Sequence, residues 1–465
     1  MTQRDVSLDV LMEIKVNEPI GQLRAVPVSL GHDEPRAIVA LYGADKRSVD
    51  PGLAGFYFPQ DTLKMAVLTE EGKVLWRRDL GRGVLPSSSF CPAYTMDLDG
   101  DSVDEIWFVN NLSEHHPFSL NDYRLERVDA RSGETTGRWE WPTYDREQNL
   151  GKLFRFFIFG GMVRGEPVLV TAQGTYGNMY LQGWRPDMSC RWRAAIGKDD
   201  PGARGSHMVS VVDMDGDGID EAIWGERRLE LDGGTEISCA DRDTWHGHSD
   251  IVQPFFDQAS GRWFLFTCRE QVMEQPPRVA CYNDRMERMW SDVDQGHIHM
   301  GWVAHVGPNR EFVANAVRQG GRIYRPEGYI TTDHTEWNYR ALTGEPVALP
   351  FAGRSAYPVD LSGDGYHEFV YTFQIGDDLE IGQVVDRRGR VLGSVGSEVA
   401  MTTKFLGRPG EQVLAFHPDG LIRAWGDRNA VDSPEALARY AHPFYKINQR
   451  TTANSNHNCI ATAGI

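Results

Sequence analysis

Only six cysteines occur in the chain, Cys91, Cys190, Cys239, Cys268, Cys281 and Cys459. They form no CxxC pair and have no regular spacing, so neither a zinc ribbon nor a disulfide framework is indicated and buried thiols are expected. No run of about 18 apolar residues is present, so no segment reads as a membrane-spanning helix. The opening segment MTQRDVSLDVLMEIKVNEPIGQL lacks a basic stretch leading into an apolar core. As given, the chain is expected to be cytoplasmic, with a secreted or periplasmic location the alternative if a signal was removed. Positive charge is in deficit: 48 Lys and Arg stand against 66 Asp and Glu, for a net charge of -18. That balance argues against nucleic acid or an anionic membrane as partner. Long helical patterns are nearly missing, and only the stretch 426 to 442 reads as a short helix.

What the chain does have is 48 glycines, 24 prolines and 11% aromatics in 465 residues, a composition suited to many short strands and tight turns. A two-part phrase recurs. One part is a strand pair around an acidic turn, TMDLDGDSVDEIWFVNN (95–111) and VVDMDGDGIDEAIWGE (211–226). The other is a hairpin, VLTEEGKVLWRRDL (67–80), ERVDARSGETTGRWEW (126–141) and VACYNDRMERMWSDV (279–293). Units begin near residues 20, 89, 154, 205, 248, 297, 355 and 400, each with material for four short strands. The fold expected is all-β: one β-propeller over residues 1–465, its ring closed by the terminal segments, with four-stranded antiparallel blades. Eight blades are favoured, and seven result if the first and last units share one.

Three of the turns repeat one arrangement of oxygen donors: Asp97, Asp99, Asp101 and Glu105; Asp213, Asp215, Asp217 and Glu221; Asp360, Ser362, Asp364 and Glu368. With a backbone carbonyl from Val103, Ile219 or Tyr366, these match the first nine positions of an EF-hand loop, so up to three structural Ca2+ ions are expected. A solvated acidic turn is the bland alternative for any single copy. Glycine follows the third acid in two loops (Gly218, Gly365), and Ser102 replaces it in the first.

Aligning the units on these turns also aligns the strand before each turn, the one nearest the propeller axis. That register brings GSHMVSVVDMD (205–215), HGHSDIVQPFFD (246–257), GHIHMGWVAHVG (296–307) and GRSAYPVDLSG (353–363) together. His207, His246, His248, His297 and His299 should then converge at one rim of the channel. Such convergence of titratable groups marks functional sites, although a single inward histidine is more often a satisfied core residue. The i, i+2 spacing of His246/His248 and His297/His299 puts each pair on one strand face, which permits a zinc site with an open position. Acid–base chemistry is the other use, with Asp250 orienting an imidazole and Arg354 or Arg204 supplying fixed positive charge.

The DMDGDGIDE type loops, the segment GHSDIVQPFFD (247–257) and the hairpin GKVLW resemble the rhamnogalacturonan lyases built as calcium-bearing eight-bladed propellers. More loosely they resemble other propeller lyases acting on uronic-acid polysaccharides such as ulvan. The likeness runs from about residue 60 to residue 425, and FYKINQRTTANSNHN (444–458) is only faintly similar to the family's asparagine-rich closing segment. The resemblance implies β-elimination at a uronic acid in an oligo- or polysaccharide. That reaction needs a group to neutralise the carboxylate, a base for the proton on carbon 5 and an acid for the leaving oxygen. Arg354 with Arg204 is the candidate neutraliser, His207 or His248 the candidate base, and Tyr324 or Tyr176 the candidate acid; Trp245 is a candidate for stacking on a sugar ring. A glycoside hydrolase on the same scaffold is one alternative, although no paired carboxylates stand out on the inner strands. A non-catalytic calcium-dependent binding or scaffold propeller is another. A quinone-dependent dehydrogenase has only the GKVLW-like hairpins in its favour.

Overall fold

In the computed structural model burial falls from the inner strands of each blade to its outer strand, and this order recurs around the ring. In the second blade the inner strand Ala93–Met96 is buried throughout, whereas the outer strand Thr135–Glu140 alternates between half-buried and exposed positions. Inner strands have neighbouring blades on both faces, and outer strands meet solvent, so the hydrophobic pattern weakens from axis to rim. The structure describes residues 6–465 apart from 33, 46–58, 88–89, 116–118, 120, 143–154, 271–274, 326–327 and 373–378.

There are eight blades, each an antiparallel sheet. Their inner strands are Gln22–Val28, Ala93–Met96, Phe156–Val163, Ser210–Val212, Ser249–Asp257, His297–His305, Ala356–Val359 and Glu398–Thr403. Each inner strand packs beside the next, and Gln22–Val28 meets Glu398–Thr403 to close the circle. The first and last units do not merge into one blade, so the count is eight, and the ring is closed instead by the strand that precedes the first unit. Strand Leu8–Lys15 pairs antiparallel with Leu421–Asp427 as the outermost strand of the eighth blade, while the first blade is complete from Gln22 onward. In the sixth blade the fourth strand shrinks to a bridge between Tyr339 and Pro346, and a hairpin, Gly321–Arg325 with Gly328–Thr332, is inserted after the second strand.

The recurring hairpin tryptophan is a joint between blades. Trp76 Nε1 donates to Ala130 O at 2.8 Å, Trp192 Nε1 to Leu231 O at 2.7 Å and Trp290 Nε1 to Ala341 O at 2.8 Å, each carbonyl belonging to the following blade. Beneath each indole lies the glycine of that blade's outer hairpin, Gly133, Gly234 or Gly344. At Gly133 a Cβ would come within 2.5 Å of the Trp76 ring, and φ is +75°. Close approach and the left-handed backbone therefore both require glycine there.

The segment read as a helix over 426–442 begins as strand and becomes helix α1 only at Pro434–Ala441, with the Ser433 hydroxyl accepting from Ala436 N–H at 3.1 Å. Helix α2, Pro443–Asn448, follows, and the chain then runs through the channel to Gly464 in two 3-10 turns. The asparagines of this segment read inner-strand backbone. Asn448 accepts from Val211 N–H at 3.0 Å and donates to Val211 O at 2.7 Å; Asn454 does the same with Ile158, and Asn458 donates to Val209 O at 2.6 Å. A carboxamide presents the same donor and acceptor as a peptide, so it satisfies edge groups that no further strand reaches.

No helix among the described residues is long and apolar enough to cross a membrane. Cys91, Cys268, Cys281 and Cys459 are buried free thiols as expected, but Cys190 is exposed and Cys239 half-buried, because both lie on outer strands.

Candidate active site

The inner strands of blades four to six begin on one face of the ring, and the acidic turns lie at the opposite ends of the inner strands. At the first face, residues 204–207 run alongside 247–249: Arg204 N–H donates to Gly247 O at 2.7 Å and His207 N–H to Ser249 O at 2.9 Å. This parallel contact between blades four and five places His207, His248 and Asp250 side by side. Within blade four Gly225 lets the 204–207 segment lie close, since a Cβ there would be 2.3 Å from Gly205 N.

Asp250 is fully buried and divides its two oxygens between neighbouring blades. Oδ1 lies 2.9 Å from His207 Nδ1, and Oδ2 lies 2.7 Å from His299 Nδ1. Burial works to raise its pKa, but the two imidazoles outweigh burial and hold the carboxylate well below its ordinary range. Glu270 collects the others: His248 Nε2 bonds Oε2, and His297 Nε2 stands 3.1 Å from Oε1. Burial and the neighbouring Asp250 push Glu270 upward, yet His248 and His207 bring it below the usual value. Tyr176 completes the group, its hydroxyl 2.7 Å from His207 Nε2 and its ring 4.2 Å from that of His248. With His207 Nδ1 facing Asp250, Nε2 is the acceptor for the phenolic proton. Arg155 lies over the Tyr176 ring, 5.4 Å from its centroid. Thr175 and Tyr176 adopt positive φ, 122° and 72°, and Tyr176 N–H donates to Arg204 O at 3.0 Å, so the blade-three turn holds a sparsely populated backbone in place.

The C-terminal segment reaches the same site. The Ser455 hydroxyl donates to His207 O, and the His457 ring lies 5.7 Å from that of His299. Burial pushes His457 down to about 3, which keeps it neutral. Among the described residues, ligand atoms of His207, His248, Asp250 and Glu270 lie within 4.8 Å of one another, as do those of Asp250, His299 and His457. Both are candidate metal sites.

Four of the five histidines expected at the rim converge: His207, His248, His297 and His299. His246 is exposed, because residues 244–248 are turn rather than strand and the two-residue alternation does not apply. Trp245 is fully buried, with the Arg269 guanidinium 4.5 Å from its ring, and has no face for a sugar. Arg204 is wrapped by its own loop, donating to the carbonyls of Lys198, Asp200 and Gly202. Arg354 pairs with Glu336 at 2.7 Å. Both arginines expected to neutralise a substrate carboxylate are thus held by protein partners. Tyr324 lies on the blade-six hairpin, which rises from the histidine face; its side chain is outside the described residues. Glu270, Arg155 and His457 escaped sequence reasoning. Glu270 carries no spacing signal, and His457 becomes relevant only because the C-terminal segment threads the channel.

On the other face the acidic turns have the expected shape. Asp97 accepts from Gly100 N–H at 2.7 Å, Asp101 N–H at 3.1 Å and Ser102 N–H at 2.9 Å; Asp213 accepts from Gly216, Asp217 and Gly218 at 2.8, 3.1 and 3.1 Å. Ser102, at φ 74°, takes up the left-handed backbone that Gly218 has at 86°. Carboxylates of Asp97, Asp99 and Asp101 converge, as do those of Asp213, Asp215 and Asp217, and both are candidate metal sites. Burial lifts Glu105 to about 8 and Glu221 to about 7, as expected for acids held beside other carboxylates. In the second loop Arg228 also contacts Asp215 and Glu221.

The third loop makes the same turn bonds, Asp360 accepting from Asp364 N–H at 3.1 Å and Gly365 N–H at 2.9 Å, but differs in its burial and in a cationic neighbour. Asp360 is fully buried, and its Oδ2 accepts from Arg439 Nη2 at 2.7 Å. A guanidinium from α1 thus stands beside the donor set of Asp360, Ser362, Asp364 and Glu368.

No protein-family model matches the chain. It is 27% identical to the rhamnogalacturonan exolyase YesX of Bacillus subtilis (strain 168) over 216 residues, 39% of this chain and 34% of that protein. To the rhamnogalacturonan endolyase YesW of the same organism it is 25% identical over 214 residues, again 39% of this chain and 34% of the relative. The matched stretch thus spans about a third of each relative's length. In structure the chain is similar to exotype rhamnogalacturonan lyase YesX, with a TM-score of 0.74 and 18% identity over 96% of this chain and 80% of that one. A rhamnogalacturonan lyase of Bacillus licheniformis gives a TM-score of 0.73 and 16% identity over 97% and 81%. The resemblance to rhamnogalacturonan lyases is distant and holds in both sequence and fold.

Proposed function

We propose that the chain is a polysaccharide lyase that cleaves a uronic-acid-containing glycan of the rhamnogalacturonan type by β-elimination. The observation that carries this reading is the convergence of four histidines on Asp250 and Glu270 beside Tyr176, on a propeller similar to those of rhamnogalacturonan lyases. His248, Asp250 and Glu270, with ligand atoms within 4.8 Å of one another, suit a divalent cation, which when bound would neutralise the uronate carboxylate in place of Arg204 and Arg354, while His207 keeps its Nε2 for Tyr176. Tyr176 passes its phenolic proton to His207 Nε2, with Arg155 at its ring to favour the phenolate, and the phenolate takes the proton from carbon 5. His297, held by Glu270 and about one-fifth exposed, donates a proton to the departing oxygen on carbon 4. The bond from carbon 4 to that oxygen breaks as the carbon–carbon double bond forms.

Incubation with rhamnogalacturonan and a panel of other uronic-acid glycans should raise the ultraviolet absorbance of the unsaturated uronate product. New reducing ends without that absorbance would move the assignment to hydrolysis, and neither signal would leave a binding propeller.

For the acidic turns at Asp97 and Asp213 we propose calcium as the resident ion, on the strength of all-oxygen donor sets and EF-hand-like turns. Chelation should then lower the melting temperature, and calcium at 100 to 1,000 times its dissociation constant should restore about 3–4 kcal/mol per loop. A melting curve unmoved by chelator would refute a structural role for calcium.

A further inference from the structure

Asp250 faces two clusters at once. Its Oδ1 points to His207, within the quartet completed by His248 and Glu270, and its Oδ2 points to His299. Beyond His299 stands His457, 4% exposed, with its Nε2 buried and without a hydrogen-bond partner among the described residues. A buried imidazole nitrogen left unbonded costs desolvation energy with no return, unless something else occupies its lone pair. Asp250, His299 and His457 offer ligand atoms within 4.8 Å of one another. They come from blade five, blade six and the channel segment, so no local turn chemistry accounts for their meeting.

We propose that Asp250, His299 and His457 form a second divalent-cation site, and that Asp250 bridges it to the quartet, one oxygen to each ion. This deepens the proposed function and rests on it for the ion of the quartet. Two imidazoles and one carboxylate suit a zinc-class cation more than calcium, which prefers oxygen throughout. Three protein ligands leave a coordination position open, on the histidine face of the ring, for a second oxygen of an acidic sugar or for water. The C-terminal segment thereby becomes part of the site: it supplies the third protein ligand of the second ion as well as filling the channel.

The test is a zinc titration of the chelator-treated full chain in excess calcium, which keeps the acidic turns filled, with bound zinc read by calorimetry and elemental analysis. Wild type should take up two equivalents. His457→Ala and His299→Ala should each take up one, with affinity for the other lowered at least 100-fold; Glu270→Gln should weaken the complementary equivalent, and Asp250→Asn both. Melting curves accompany each variant. If His457→Ala fails to fold, His299→Ala tests the same site from the blade. Retention of two equal equivalents by either variant would overturn the proposal, as would a single equivalent in wild type that His299→Ala leaves intact. Because the readout is zinc bound, failure of the lyase assay leaves this result standing, and the converse also holds.

Discussion

Replacing Asp250 by asparagine is expected to cut turnover by roughly 10^3-fold, within the range that acid–base groups contribute, while leaving the propeller folded. The substitution preserves shape and one hydrogen-bonding oxygen but removes the charge that both His207 and His299 face. Without it, His207 loses the partner that keeps its proton on Nδ1, and Nε2 is no longer fixed as an acceptor for Tyr176. The cation site loses its only fully buried carboxylate in the same step. Tyr176→Phe provides the comparison, because it removes one hydroxyl and leaves the metal ligands in place. It should lower kcat by about 10^2-fold or more with little change in KM, given that general acid–base groups typically contribute at least this much. Initial rates of unsaturated product formation, read beside melting curves, check both. Turnover by Asp250→Asn within tenfold of wild type would remove the carboxylate from the mechanism. Unfolding of Asp250→Asn alone would show that the charge serves stability first, and Tyr176→Phe would then carry the mechanistic test.

How much of this was legible in the sequence depends on whether the signal was local. The eight units were readable because each acidic turn and each tryptophan hairpin is a short-range pattern repeated in register, and the inner strands begin within a few residues of the expected positions. His207, His248, His297 and His299 were readable for the same reason, since register alone carries them to one rim. His246 was misplaced because the strand rule was applied to a turn. Glu270 follows the last residue of strand Arg262–Arg269 in a stretch with no motif, and only the pairing of that strand with Ser249–Asp257 brings it to His248. His457 depends on a segment that crosses the channel, a contact about 160 residues from His299 in sequence. The two arginines show a further limit: sequence tells which residues are charged, but not whether a carbonyl cage or a glutamate already holds them.

Arg439→Met should be among the most destabilising single substitutions in the chain, because it strands a carboxylate in the interior. Asp360 has no solvent exposure and Arg439 only 5%; the guanidinium bonds Asp360 at 2.7 Å, lies 3.4 Å from Glu411 and packs over the Tyr440 ring. Removing one partner of a buried ion pair typically costs about 3–5 kcal/mol, since the remaining charge keeps its desolvation penalty without the attraction that offset it. Burial lifts Asp360 to about 6 even with Arg439 beside it. The double variant Arg439→Met with Asp360→Asn should recover part of the loss, because no buried charge is then left unpaired. A further consequence separates a cation substitute from an ordinary salt bridge. If Arg439 takes the role proposed for calcium in the other loops, its removal exposes Asp360, Asp364 and Glu368 to calcium, and millimolar calcium should raise the melting temperature of Arg439→Met more than that of wild type. Equal calcium responses in the two proteins would mean that the third loop has lost its capacity for an ion altogether, and that Arg439 serves only to anchor α1 to the seventh blade.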